Sequence, residues 1–263
     1  VIELAIIATL PLLLAVEGEL IVQRAGMINL GIEGMLLTAA LTTVLFGFAG
    51  GIAGALLIAL LFGFFTIRVG ADQIVIGTAI NLFALGITGF IYREWNAQIV
   101  GVTSNINSTA IAIAAWIVIP IALALMLWRT NFGLRLRACG ENPEAVRASG
   151  HSVAMLRWSA LIIEALLVGT AGAALARTGF AENMSAGRGY IALSIVIFGR
   201  WKVKGVLLGS ALFGAAAVVQ YALQAASRGV QFHLLLAVPY VVTLLILCGI
   251  AGRVRAPEAL GKS

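Results

Sequence analysis

Apolar runs alternate with short polar turns along almost the whole chain. They cover residues 3–20, 29–48, 50–67, 72–92, 110–128, 155–177, 188–200, 205–225 and 233–251. An α-helix needs about 20 mostly apolar residues to cross the hydrocarbon layer. The run at 188–200 falls well short and predicts a half-helix or re-entrant piece. A missing stretch of helix is tolerated at membrane depth only where protein or a water-filled cavity covers the free backbone groups. The pattern predicts an all-α fold: a polytopic transmembrane helical bundle of about nine spanning or re-entrant segments. Residues 1–263 read as a single domain, because the longest hydrophilic stretch, about 129–154, is too short for a core of its own.

Charge orients the bundle. The segment after the fifth run carries Arg129, Arg135, Arg137, Arg147 and Arg157, and the tail carries Arg253, Arg255 and Lys262. Shorter basic turns lie at Arg24, at Arg68 and at Arg200, Lys202 and Lys204. Cytoplasmic loops collect Lys and Arg. Placing all five basic stretches inside requires an odd number of crossings with the start outside. The nine runs satisfy this, and the Asn-, Ser- and Thr-bearing stretch 94–109 then falls outside.

Composition removes the soluble alternative. A soluble domain is about 45–50% apolar and about 25% charged. This chain is 61% hydrophobic and 11% charged, with a mean hydropathy of +1.06. A soluble fold could not hide so much apolar surface behind a polar exterior. The net charge of +6 would raise nucleic acid as a partner of a soluble protein. Here the cations lie between apolar runs without aromatic platforms beside them, so no nucleic acid is expected. Cys139 and Cys248 form no disulfide framework, and with His151 and His233 they suggest no metal cluster. No basic stretch precedes the first apolar run and no cleavage site stands out, so no signal peptide is expected.

The stretch 131–150 has the grammar of a helix start. Asn142 is a candidate N-cap, Pro143 suits the first helical position, and Glu144 in the first turn complements the helix dipole. Gly150 can close the helix in the left-handed region. A loop that only obeys the positive-inside rule needs no capped helix, whereas a docking surface does. Elsewhere, Gly47/Gly51, Gly50/Gly54 and Gly205/Gly209 have spacings that let helices approach closely. Packing inside one subunit is the favoured reading of these pairs over a dimer interface. A faint internal echo links 24–67 with 177–225: polar and Gly turn, apolar run, Gly-bearing turn, second run. Transporters often contain two such repeats with the binding site between them.

Four stretches together resemble the permeases of the branched-chain amino acid, ribose and nucleoside class of bacterial ABC importers. They are Arg24-Ala-Gly-Met-Ile-Asn-Leu-Gly-Ile-Glu-Gly-Met35, Ala71-Asp-Gln-Ile-Val-Ile-Gly-Thr-Ala-Ile-Asn-Leu82, the stretch 132–150, and Gly189-Tyr-Ile-Ala-Leu-Ser-Ile-Val-Ile-Phe-Gly-Arg-Trp201. The first two are most similar to the nucleoside or simple-sugar branch. One departure is Val203, where the family often has Pro. The resemblance implies a multi-pass subunit of the bacterial cytoplasmic (inner) membrane, in contact with lipid, that moves a small polar solute without a cofactor. Its implied partners are a cytoplasmic ATP-binding-cassette ATPase, a second related permease and an extracytoplasmic solute-binding protein. It also implies that Gly140, Glu141, Asn142, Pro143, Glu144, Ala145, Arg147, Ala148 and Gly150 belong to the coupling helix that engages the ATPase.

Polar residues inside the apolar runs are the candidate solute path or broken-helix support, because charge there is costly and usually functional. Asn29 and Glu33 share a helix face. They are expected either to line the path or, for Glu33, to brace a broken helix by accepting backbone N–H bonds. Asn81 offers a donor and an acceptor to a solute, or else an interhelical bond. Glu164 is expected to pair with Arg177 or Arg188, or to keep its proton. Gln220 shares a face with Gln224 and reads as glue or path. No catalytic grouping stands out. Gly261-Lys262-Ser263 resembles the end of a phosphate loop, but Ala256 occupies the first Gly position. The chain is therefore expected not to be an enzyme, with ATP hydrolysis on a separate subunit. The solute is expected to be a nucleoside. The alternatives are a ribose- or galactose-type sugar, or a proton-coupled secondary transporter that uses Glu33 or Glu164.

Overall fold

The computed structural model describes residues 2–95, 108–226 and 255–262. The ninth apolar run, 233–251, with His233 and Cys248, lies outside the described residues, as do the side chains of Gln220 and Gln224. Every regular element among the described residues is a helix. Helix α1 is Ile2–Arg24 and α2 is Ile32–Gly63, extended by a π turn, Phe64–Arg68. Helix α3 is Gln73–Glu94. Helix α4 runs through three contiguous pieces, Ser108–Ile113, Ala114–Val118 and Ile119–Arg129. Two shorter helices follow, α5 Asn131–Glu141 and α6 Pro143–Ala148. Helix α7 is Val153–Leu175, α8 is Arg188–Phe198 and α9 is Val203–Ala226.

Helix α2 is two arms rather than one rod. Gly47 has φ 74° and ψ −169°, outside any helical conformation. A Cβ on Gly51 would collide with the Thr43 hydroxyl, and one on Gly54 with the Thr42 side chain. Twelve residues of straight helix would separate positions 42 and 54 by about 18 Å. The arms therefore fold back on each other, as the separate runs 29–48 and 50–67 predict. The short run at 188–200 also takes its expected form, because α8 has only 11 residues, or about 16 Å of rise.

Interior contacts confirm which turns share an end of the bundle. The Arg24 guanidinium donates to the carbonyl of Trp201, through Nε at 2.8 Å and also through Nη2. The backbone N–H of Ile28 donates to Gln73 Oε1 at 2.7 Å, which brings the turn after Arg68 to the same end. The N–H of Ala259 donates to the Gly140 carbonyl at 2.9 Å, and Arg157 Nη2 donates to the Lys262 carbonyl at 3.0 Å. All five basic stretches thus converge. At the opposite end Tyr92 stacks near Phe180 with ring centroids 5.5 Å apart, and Arg93 pairs with Glu182 at 3.2 Å. This is the arrangement that the positive-inside rule requires of one membrane face and the other.

Helix α1 forms the axis, with residues 9–23 all buried. It packs against α7, where Gly18 lies against Glu164, and α7 packs against both arms of α2. A Cβ on Gly172 would collide with Ala39, and one on Gly169 would lie 2.7 Å from the Ile52 Cα. The Gly205/Gly209 pair meets Gly199 and Ile195 of the same chain, so the small-residue spacings serve packing within the subunit. Large side chains face outward on α3 and the second arm of α2, including Leu57, Phe64, Leu82 and Phe90. That surface suits lipid and would be a liability in water.

Gly172→Val is expected to lower the stability of the purified protein by about 1–3 kcal/mol through overpacking. Gly86→Ala, at a position where a Cβ meets nothing within 4 Å, is expected to change it little. Thermal unfolding in detergent, followed by loss of the monodisperse peak on size exclusion, measures both.

Candidate functional site

The segment after α4 begins at Thr130, whose hydroxyl accepts the Gly133 N–H at 3.0 Å and so caps α5. Asn142 separates α5 from α6, and its Oδ1 accepts the Ala145 N–H at 3.0 Å. Pro143 occupies the first helical position, where a missing N–H costs nothing. Gly150, with φ +78°, closes the helix, and its N–H donates to the Arg147 carbonyl at 3.0 Å. Within α6 the Val146 side chain points inward against Cys139, Val153 and Leu156. Glu141, Asn142, Glu144, Ala145, Arg147, Ala148 and Gly150 are exposed, and Pro143 is half-buried. A cleft of about 420 Å³ between α5 and α6 is lined by Leu134, Arg135, Ala138, Ala145, Ser149 and His151, among others.

Gly140 differs from its neighbours. It is buried, and a Cβ there would collide with the Arg24 carbonyl. It joins the segment to the bundle rather than presenting a surface. Cys139 is buried as well, with its thiol 3.4 Å from the Ala25 carbonyl. Burial pushes the thiol above its ordinary value, against a smaller lowering pull from Arg157. The residue is a packing group, as a lone small apolar side chain in this setting would be.

The second constellation surrounds the start of α8. The Glu33 carboxylate accepts the N–H of Gly187 at 2.8 Å through Oε1 and that of Gly189 at 2.6 Å through Oε2. Gly189 is required there, since a Cβ would lie 2.6 Å from the Glu33 backbone. Asn81 does the corresponding service for α2. Its Oδ1 accepts the Gly34 N–H at 2.8 Å, and its Nδ2 donates to the Leu30 carbonyl at 2.7 Å and to the Tyr190 hydroxyl at 2.8 Å. Three helices are thereby tied in a closed loop: α3 to α2 through Asn81, α2 to α8 through Glu33, and α8 back to α3 through Tyr190. The stretches that echo each other in sequence meet here, each as irregular backbone leading into a short helical arm.

A third group lies deeper toward the basic end. Asn29 Nδ2 donates to Glu164 Oε2 at 2.7 Å, and both residues are fully buried. Glu19 accepts from Gln23 Nε2 at 2.8 Å and stands beside Glu164, and Gln23 Oε1 accepts the Trp201 indole N–H at 2.7 Å. The expected pairing of Glu164 with an arginine is corrected. Arg177 lies thirteen residues farther along the same chain, or about 20 Å of helix. Arg188 donates instead to the carbonyls of Met184 and Ser185.

Residues 1–247 match the family described as branched-chain amino acid transport system / permease component. The chain belongs to this permease family. It is 32% identical to the nucleoside ABC transporter permease protein NupC of Lactococcus lactis subsp. cremoris, over 74% of this chain and 70% of that protein. It is 33% identical to the guanosine ABC transporter permease protein NupQ of Bacillus subtilis, over 73% of this chain and 68% of that one. The putative glucose ABC transporter permease protein TsgC13 of Haloferax volcanii is 32% identical over 82% of this chain and 75% of its own length. No solved structure matches the chain. The permease is accordingly a multi-pass component of the cytoplasmic membrane, and its role in transport is not catalytic.

Sequence reading of the permease missed the buried Glu17, Glu19, Gln23 and Gln73, and it missed Tyr190 as the partner of Asn81. The signal for the first two was available, since two carboxyls two residues apart within an apolar run are rare in a spanning helix. Both are buried, and neither oxygen of Glu17 has a hydrogen-bond partner among the described residues. Gln73 and Tyr190 gave no such signal, because each gains its meaning from a partner distant in sequence.

Glu33→Gln replaces one of two acceptors with an N–H₂ group facing a backbone N–H. It is expected to destabilise the permease by about 1–3 kcal/mol, as an unsatisfied buried donor does. Asn81→Ala is expected to act in the same direction. Unfolding midpoints of the detergent-purified variants test both, and unchanged midpoints would show that neither side chain braces a helix start.

Proposed function

We propose that this permease carries a neutral nucleoside inward, driven by ATP hydrolysis on a separate cytoplasmic ATP-binding-cassette subunit that grips α6. A second related permease completes the pathway, and an extracytoplasmic binding protein delivers the solute. The observation that carries the solute class is the occupation of the α8 N-terminus by Glu33. Half-helix N-termini in transporters commonly receive the anionic group of a substrate. Here a resident carboxylate already takes those donors and would repel a carboxylate-bearing solute such as an amino acid. What remains nearby is neutral: the Asn81 amide and the Tyr190 hydroxyl. Groups of this kind suit the hydroxyls of a sugar and the edges of a nucleobase. The relatives whose names include nucleoside and guanosine favour the nucleoside over the free sugar.

The exposed, capped α6 supports the docking role of Glu141, Asn142, Pro143, Glu144, Ala145, Arg147, Ala148 and Gly150. One inward side chain, Val146, anchors a helix whose remaining surface is open. A short rigid element of this sort can transmit force without supplying any reacting group. Asn29, Glu33, Asn81 and Glu164 serve as support for the broken helices, with Asn81 nearest to a role in the path. Gln220 is assigned to the path by its position on α9 alone.

Uptake of labelled solutes into cells lacking the permease tests the solute. Nucleoside uptake is expected to be lost while sugar uptake persists, and the reverse outcome would move the assignment to the sugar branch. Glu144→Pro is expected to abolish uptake while the protein remains inserted and ATP hydrolysis runs on unlinked to transport. Full uptake by that variant would remove α6 from the mechanism, and proton-driven flux through the chain alone would replace the ATP-driven reading.

A further inference from the structure

The turn between α8 and α9 holds two successive non-glycine residues in the left-handed region, Arg200 at φ 54° and Trp201 at φ 53°. One such residue is uncommon, and a pair that includes a bulky aromatic persists only when its surroundings over-determine it. The surroundings are the last turn of α1. Arg24 donates to the Trp201 carbonyl through both Nε and Nη2, and the Trp201 indole donates to Gln23 Oε1 at 2.7 Å. Trp201 is 4% exposed. Both polar ends of one residue are therefore held by two consecutive residues of α1.

Arg24 faces the cytoplasmic segment as well. Its carbonyl lies against Gly140, at a spot that admits no Cβ, and a Cβ on Gly26, two residues on, would lie 3.1 Å from the Gly140 Cα. Its guanidinium is 5.8 Å from the centroid of Trp128, the ring over which Arg137 of α5 stacks at 4.1 Å. The foot of α5 thus rests on the residue whose side chain clasps the end of α8. The far end of α8 is the pair of N–H groups held by Glu33. A helix of 11 residues with tethered ends moves as a unit, since interfaces of packed elements switch between discrete arrangements rather than deform continuously.

We propose that the Arg24–Trp201 clasp is the link that passes displacement of α5 and α6 to half-helix α8, with Arg24 as a positioning residue for transport. The proposal rests on the docking of α6 by an ATPase. Motion imposed on α6 reaches Gly140 through α5, moves Arg24, and through the Trp201 carbonyl pulls α8 relative to Glu33. Arg24 touches neither the ATPase nor the solute in this scheme.

The test uses the complete importer in liposomes, with ATP hydrolysis and guanosine uptake measured together. Arg24→Ala is expected to leave the ATPase bound and hydrolysing while solute moved per ATP falls about tenfold, a coupling loss of the size such linkages carry. Arg24→Lys, which keeps one donor for the carbonyl, is expected to recover most of the ratio. Trp201→Phe, which removes the indole donor and shrinks the buried ring, is expected to fall between them. A merely structural arginine would lower assembly or stability without changing the ratio. An unchanged ratio in assembled Arg24→Ala complex overturns the clasp and leaves docking intact. Loss of the bound ATPase from both Arg24 variants also overturns it, since Arg24 would then be holding the docking surface itself. If the unaltered permease retains no ATPase, the docking reading fails and the clasp falls with it.

Discussion

A helix that begins inside a bilayer has N–H groups with no preceding turn to pair with and no water at hand. In hydrocarbon each unpaired group costs several kcal/mol, so a broken helix exists only where side chains complete it. In this permease Glu33 completes α8 and Asn81 completes the start of α2. Much of the remaining architecture follows from that need. Gly189 has no side chain because Glu33 must come close, and Gly34 has none because Asn81 and Ala84 must. Other glycines serve close helix packing instead: Gly63 meets Trp158, Gly169 meets Ile52 and Gly172 meets Ala39.

The same completion sets the character of the centre. A carboxylate at a helix N-terminus offsets the positive end of the dipole, which leaves the region around Asn81 and Tyr190 able to hydrogen-bond without strongly favouring an anion. The neighbouring group of Asn29, Glu19, Gln23 and Glu164 is more acidic and deeper, and it joins α1 to α7 and to the Trp201 turn. Helix α1 therefore carries polar links to both halves of the bundle although it is almost entirely enclosed by apolar neighbours. Buried polar networks of this sort favour one arrangement over its alternatives only when their members find partners.

The cytoplasmic end is built differently. Most of its cations are exposed, among them Arg68, Arg129, Arg135 and Arg147, while Arg157 is buried and Arg24 half-buried. The short α6 is anchored by one inward residue, Val146, while Gly140 and the turn at Gly26 fuse the supporting α5 to the bundle. Residues 255–262 lie across the same joint through Ala259 and Lys262.

Periodicity, span length and charge asymmetry determined the helical class, the separate arms of α2, the shortness of α8 and the shared end of the basic turns. These are properties of local composition set against the thickness of a bilayer, which is fixed before any folding occurs. The cap at Asn142, the Pro143 start and the Gly150 stop were legible for the same reason, since each rests on backbone geometry within a few residues. Tertiary structure alone decided that Glu33 meets Gly187 and Gly189, that Glu164 meets Asn29 rather than an arginine, that Gly140 faces inward, and that Trp201 is clasped by Arg24. Each of those contacts joins residues far apart in sequence, most of them over a hundred apart. Their pairing depends on which helices pack together, and a one-dimensional pattern carries no record of that.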